Sequence, residues 1–193
     1  MTRLAEIRVA EGILAGARGG DPGAQAQLYA LVAPGVFALI RRIVGVRAVA
    51  EDVFQDTMIM VFEQLDRYRQ EAPLGAWAAK IALSRSLMFL RSPWHRARLS
   101  FGSHADAEVL LPPASLSHAG PDVESFDVER ALASLTPTAR AVVWLYEVEG
   151  WSHEEIAQNF GKTVSFSKSQ LARAHMRLRA WFEPEASHTC APT

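Results

Sequence analysis

One cysteine, Cys190, stands in a chain of 193 residues. A lone thiol excludes an intramolecular disulfide framework and any multi-cysteine zinc site. Long apolar runs are missing as well. Runs such as Val36–Ile40 and Met58–Phe62 are far short of the ~20 residues a membrane helix needs. Glu6 and Glu11 interrupt the stretch where a signal peptide would carry its apolar core. Net charge is close to nil, −1 at pH 7, with 49% hydrophobic residues. That balance is neither disordered nor strongly basic. Alternating apolar runs bounded by hairpin turn pairs are also lacking, so strands are not expected. What remains is a cytoplasmic, helical protein of one compact domain or two small ones.

The near-zero charge conceals a pattern. Residues 1–98 carry net +4, residues 99–139 net −5, residues 140–182 net +2, and residues 183–193 net −2. Two mildly basic blocks flank an acidic stretch. Nucleic acid suits both blocks, although the same segregation occurs in proteins that never touch DNA.

Helical spacing is common in the first block. Leu4–Ala17 reads as a helix ended by Gly19-Gly20. Asp21 is placed to cap a second helix, with Pro22 at its first position. That helix is expected to reach Ala33. Pro34 then restarts a third, which Gly45 ends. A fourth carries Ala50, Val53, Phe54, Met58, Val61, Phe62 and Leu65 at spacings of three and four, one apolar stripe. Its opposite side shows Asp52, Gln55, Asp56, Ile59 and Glu63. Pro73 opens a fifth helix to about Leu90. Trp77, Ile81, Leu83, Leu87 and Leu90 lie on its apolar side, and Lys80, Arg85 and Arg91 on a basic one.

Periodicity fades from Ser92 to about Val123, where four prolines, Gly102 and Gly120 accumulate. This stretch reads as a linker. A loop so long argues against one compact domain. The expected organisation is a domain over 1–91, a linker over 92–122, a second domain over 123–183 and a tail over 184–193. In the second domain Val123–Leu135 reads as a helix. Thr136-Pro137 starts another that continues to Gly150. Ser152-His153-Glu154-Glu155 fits a capping box. The short helix it opens ends at Phe160, and Gly161 supplies a turn. Ser165 is expected to cap the last helix, whose apolar face is Leu171, Ala174, Leu178 and Phe182.

A short capped helix, a glycine turn and a longer basic helix make a helix-turn-helix pattern. Residues 162–179 contain Lys162, Lys168, Arg173, Arg177 and Arg179 and no acid. In a major groove such a helix sets its N-terminal residues on base edges and the rest near phosphates. Binding of that kind is salt-sensitive because counterions are released. Lys and Arg donors suit guanine, and Gln170 suits adenine. A solvated helix face in an ordinary bundle would show the same charges.

Glu149-Gly150-Trp151-Ser152-His153-Glu154-Glu155-Ile156-Ala157 resembles the EG-x-S-x-EEIA signature of region four of sigma factors. Lys168-Ser169-Gln170-Leu171-Ala172-Arg173-Ala174 resembles the segment that follows it. Gly20-Asp21-Pro22, Leu28-Tyr29 and Ala50-Glu51-Asp52-Val53-Phe54-Gln55-Asp56 resemble region two. Tyr68-Arg69, Trp77 and Lys80-Ile81-Ala82 continue that match. Two such regions and a short chain look like the extracytoplasmic-function (ECF) group of the sigma-seventy family, over about residues 8–91 and 125–182.

The resemblance implies an all-α fold of two small helical domains joined by a flexible linker. It implies a factor that binds bacterial core RNA polymerase and directs promoter-specific transcription initiation, with no active site and no cofactor or metal. It implies promoter DNA as a second partner and an anti-sigma protein as a third. Glu51, Asp52, Gln55, Asp56 and Ile59 match the polymerase-binding helix. An apolar residue beside acids on a solvent face suits a partner surface, although Glu51 and Asp52 also complement the helix dipole. Tyr68, Arg69, Lys80 and Arg85 cover the segment that holds the unstacked minus-ten strand, where aromatic platforms and cations serve single-strand binding. Trp77 lies on the apolar side and is expected in the core. Lys168, Ser169, Gln170, Arg173 and Arg177 match the helix that reads the minus-thirty-five element.

The chain departs from the family pattern in two places. Gly75 stands where the family often has a cation, and Pro73 where it often has serine. Ser165-Phe166-Ser167 replaces a Gly-Thr-Val segment, and Phe166 is expected on the domain core. His153 and His175 read as isolated surface histidines, and Trp144, Trp151 and Trp181 as core of the second domain. The alternatives are a conventional helix-turn-helix regulator and a sigma mimic that sequesters an anti-sigma protein. An enzyme is disfavoured by the lack of a carboxylate–histidine constellation, metal spacing or phosphate-binding loop.

Overall fold

The computed structural model describes residues 3–92, 128 and 130–182. These residues form helices and turns and contain no strand. Two bundles result. The first holds α1 (Glu11–Arg18), α2 (Pro22–Val44), α3 (Arg47–Glu63) and α4 (Leu74–Arg91). Single 3₁₀ turns precede α1 (Leu4–Glu6) and α4 (Leu65–Arg67). The second holds a helical turn over 130–133, then α5 (Pro137–Val143), α6 (His153–Phe160) and α7 (Val164–Phe182). The expected linker and tail lie outside the described residues, as does most of the helix expected over Val123–Leu135.

Local chemistry sets most of the starts and stops. Asp21 Oδ2 accepts the Ala24 amide at 2.8 Å, and Pro22 occupies the first turn of α2. Thr136 and Pro137 repeat the arrangement at α5. Gly45 ends α2 at φ 86°.

The structure departs from the sequence expectations in four elements. Leu4–Ala17 is not one helix: residues 7–10 are extended and α1 starts at Glu11. Pro34 does not break the chain into two helices, and α2 runs through it for 23 residues. An interior proline costs ~3 kcal/mol in an isolated helix. Here α1, α3 and α4 all pack on α2, with Leu28, Val32, Val36, Leu39, Ile40 and Ile43 fully buried, and that packing outweighs the lost bond. Past Val143 the chain widens into a π turn over Trp144–Val148. The cap of α7 is Thr163, not Ser165: Thr163 Oγ1 accepts the Phe166 amide at 3.3 Å.

With its proline spanned, α2 has a mean hydropathy of 1.4, long and apolar enough by composition to cross a membrane. Its burial within the bundle accounts for that composition. The buried residues of both bundles form one cluster, from Leu4 to Ala174. Contacts between the bundles run chiefly from α2 to α5 and from α4 to α6. The Arg42 guanidinium sits over the Trp144 ring, 4.6 Å from its centroid. Burial, aided by the like charge of Arg41, lowers Arg42 to about 10. Trp144 is therefore shared between the bundles rather than confined to the second. Trp151 is buried as expected, whereas Trp181 is 41% exposed and Phe182 53%.

Candidate nucleic-acid interface

The turn between α3 and α4 is built from three directions. Arg18 of α1 donates to the carbonyls of Leu65 and Tyr68. Glu11 of α1 accepts from Gln70 at 2.8 Å, and Gln70 takes a left-handed φ of 60°. The Tyr68 hydroxyl donates to the Ala72 carbonyl at 2.7 Å. These bonds frame an open cavity of about 170 Å³ lined by Arg67, Tyr68, Arg69, Glu71, Ala72, Trp77 and Lys80. Three cations and two aromatic rings converge there against one carboxylate.

The roles expected of the two rings are exchanged. Tyr68 is 6% exposed and Trp77 half-buried. Their centroids lie 5.2 Å apart. Tyr68 thus forms the cavity's floor, and burial raises its phenol above the usual range against the opposing pull of Arg8 and Arg18. Arg69 and Lys80 are exposed at the mouth. Arg85 is not at the cavity: its guanidinium donates to Asp56 Oδ2 at 2.6 Å. Arg67 was missed. It lies one residue before the Tyr-Arg pair, in a 3₁₀ turn that apolar periodicity does not reveal.

On α3, Asp52, Gln55, Asp56 and Ile59 are exposed along one face, with Ile59 56% exposed. Glu51 is half-buried and paired with Arg47 at 2.8 Å. The face therefore carries an unpartnered aliphatic side chain among carboxylates.

In the second bundle, the capping box forms as expected. Ser152 Oγ accepts the Glu155 amide at 3.1 Å, and Glu155 Oε2 accepts the Ser152 amide at 2.9 Å. Gly161 closes α6 in the left-handed conformation, φ 62°, which a β-carbon would disfavour. Leu171 and Ala174 bury one side of α7. Phe166 packs on Phe160 at 5.9 Å, as expected. The opposite side exposes Lys168, Ser169, Arg173 and Arg177, with Gln170 half-buried at its edge. Neither histidine is isolated. His153 Nδ1 is 3.0 Å from the buried Ser167 hydroxyl, and its ring stacks on Tyr146 at 4.5 Å. His175 Nε2 lies 3.0 Å from Glu147. One links α6 to α7, and the other links α7 to the π turn. Among the described residues, no cluster of three or more histidine, cysteine or acidic side chains is placed to hold a metal.

Residues 28–96 match the family described as Sigma-70 region 2, and residues 125–178 that described as Sigma-70, region 4. The chain is 32% identical over 166 residues to the RNA polymerase sigma factor CarQ of Myxococcus xanthus, spanning 84% of this chain and 91% of CarQ. It belongs to the sigma-70 family of RNA polymerase sigma factors, in the ECF group. A second relative, the ECF RNA polymerase sigma factor SigE of Mycolicibacterium smegmatis, is 29% identical over 159 residues, 80% of this chain and 60% of SigE. The fold matches the sigma factor RpoE of Bartonella quintana, solved in complex with the anti-sigma factor NepR, with a TM-score of 0.64 at 24% identity over 84% of this chain and 98% of that one. It also matches CnrH, solved in complex with the cytosolic domain of CnrY, with a TM-score of 0.56 at 22% identity over 90% of this chain and 97% of that one.

In this sigma factor, α3, α4 and most of α2 fall within region two, and α5, α6 and most of α7 within region four. Helix α1 lies ahead of the region-two match, yet it supplies the Arg18 and Glu11 contacts that brace the cavity.

Proposed function

We propose that this sigma factor directs core RNA polymerase to promoters through three surfaces and is held in check by an anti-sigma protein. The α3 face of Glu51, Asp52, Gln55, Asp56 and Ile59 docks on the polymerase. The cavity at the start of α4 receives an unstacked base of the minus-ten strand. Trp77 offers the stacking surface, and Arg67, Arg69 and Lys80 draw in the backbone. Helix α7 enters the major groove at the minus-thirty-five element, with Lys168, Ser169, Gln170 and Arg173 toward bases or phosphates and Arg177 toward phosphate. Region two is taken to extend over 1–91 and region four over 123–183. Bond-making chemistry belongs to the polymerase, and the site of action is the cytoplasm.

The observation that carries this reading is the pairing, in one chain, of a cation-lined aromatic cavity with an acid-free exposed face on a helix-turn-helix. One surface suits single-stranded nucleic acid and the other suits duplex, which is what opening a promoter requires. The regulated half of the reading rests on likeness to the sigma factor RpoE, solved with the anti-sigma factor NepR.

The test is transcription in vitro with core polymerase and a pool of genomic fragments. New start sites sharing two upstream elements are expected. Asp52→Arg combined with Asp56→Arg is expected to abolish them and to weaken binding to core. Failure of the parent chain to bind core at all would overturn the reading.

A further inference from the structure

The match to region two begins at residue 28, yet the chain well ahead of it is tied to the turn that frames the cavity. Ile7 is pinned to the first turn of α4, where its carbonyl accepts the Gly75 amide at 3.0 Å. A β-carbon on Gly75 would come within 2.9 Å of Ile7 Cβ and overlap the Leu4 carbonyl. Glycine at that position is what lets the segment lie so close. Leu4 anchors it further, 2% exposed and set against Gly35 of α2. Glu11 is pinned in turn to Gln70 at 2.8 Å. The extended residues from one tie to the other, 7–10, therefore run beside the turn over 70–75.

Arg8 stands in that stretch. It is exposed, and it makes no hydrogen bond or ion pair among the described residues. The acids near it in sequence are engaged elsewhere, Glu6 with Arg3 at 3.8 Å and Glu11 with Gln70. Burial raises the Tyr68 phenol while Arg8 and Arg18 pull against it, so the Arg8 charge is felt at the cavity's floor. The two arginines differ in their commitments. Arg18 is bound to the Leu65 and Tyr68 carbonyls, as Arg85 is to Asp56. Arg67, Arg69 and Lys80 resemble Arg8: each is exposed and without an ion pair among the described residues. The first bundle thus uses some cations to hold its fold and leaves four at one edge. Like charges gathered there repel one another, and a polyanion relieves them.

Single-strand binding pairs aromatic platforms for bases with a cationic track for the backbone. Trp77 supplies the platform, and Arg67, Arg69 and Lys80 line the cavity beside it. Arg8 does not line the cavity. A strand extends beyond the one base a cavity holds, so its neighbouring phosphates call for a cation outside the pocket.

We propose that Arg8 is a further contact of the minus-ten strand, binding a backbone phosphate just outside the cavity on the side of the 70–75 turn. The inference rests on the reading of the cavity as a single-strand site. The contact carries no base preference, because it touches phosphate alone.

The test measures binding of a short fluorescein-labelled oligothymidylate to the full chain over a series of salt concentrations, alone and with core polymerase, with core by itself as the baseline. Arg8→Ala is expected to weaken binding at least threefold at low salt. It is also expected to reduce the slope of log affinity against log salt by about 0.7, one phosphate's share for a single strand. Arg8→Lys is expected to retain both, and an oligodeoxyadenylate to show the same loss. Circular dichroism of Arg8→Ala is expected to match the parent. Parent affinity and slope in folded Arg8→Ala would overturn the contact. So would a loss without a change of slope, a loss that Arg8→Lys does not recover, or one confined to a single oligonucleotide. A parent that binds single strands yet drives no transcription refutes the promoter reading, while the slope still decides Arg8. A parent that binds no single strand, alone or with polymerase, overturns the cavity reading and the Arg8 contact with it.

Discussion

Ser152 and His153 sit side by side at the start of α6 and act in different directions. Ser152 works within its own helix, through the reciprocal bonds with Glu155. Ser152→Ala is expected to lower stability by about 1 kcal/mol, read as a lower urea midpoint with an unchanged slope. His153 works across the turn, through the Ser167 hydroxyl that α7 buries. His153→Leu keeps the apolar body but leaves that hydroxyl without its ring partner, at a cost of about 1–2 kcal/mol. The first effect was legible in the sequence, because a capping box is four consecutive residues. The second was not, because the partners are 14 residues apart and meet only when the glycine turn folds. On the exposed side of α7, Arg177→Ala is expected to reduce the salt slope of binding to minus-thirty-five duplex by about one while leaving base preference intact. Arg173→Ala tests base contact in the same titration: a cost that depends on the sequence offered marks it, and a uniform loss marks phosphate.

At the scale of elements, legibility follows the range of the interaction that decides each feature. Asp21-Pro22, Thr136-Pro137 and Gly161 mark real boundaries because capping and left-handed turns are settled within four residues. Pro34 misleads because α2, packed on by three helices, runs on through it. Pro34 is exposed, so Pro34→Ala is expected to restore a main-chain bond without disturbing the core and to stabilise the chain by about 1–3 kcal/mol. Equal or lower stability in thermal unfolding would mean the helix is adapted to its proline. The candidate site divides in the same way. The exposed faces of α3 and α7 were visible in apolar periodicity. The cavity was visible only as a Tyr-Arg pair and a tryptophan, and which ring faces solvent depends on how α1 grips the turn. Arg85 shows the same limit. Its basic position on α4 was apparent, but its bond to Asp56 joins two helices. With side chains 26% and 59% exposed, that pair contributes at most about 1 kcal/mol, measurable by a double-mutant cycle.

For the whole molecule, two regions with different nucleic-acid partners share one interior. The same apolar cluster runs from Leu4 through α2 and α5 to Ala174. Truncating it deeply, as in Leu28→Ala, is expected to cost about 2–5 kcal/mol. A shared interior has a calorimetric consequence. Modules that melt independently give two heat-absorption peaks, whereas modules that expose a common interface on unfolding melt as one. The described residues are therefore expected to give one heat-absorption peak in calorimetry, in which a substitution in α2 is felt as heat taken up by α7; two peaks would mean the bundles unfold separately.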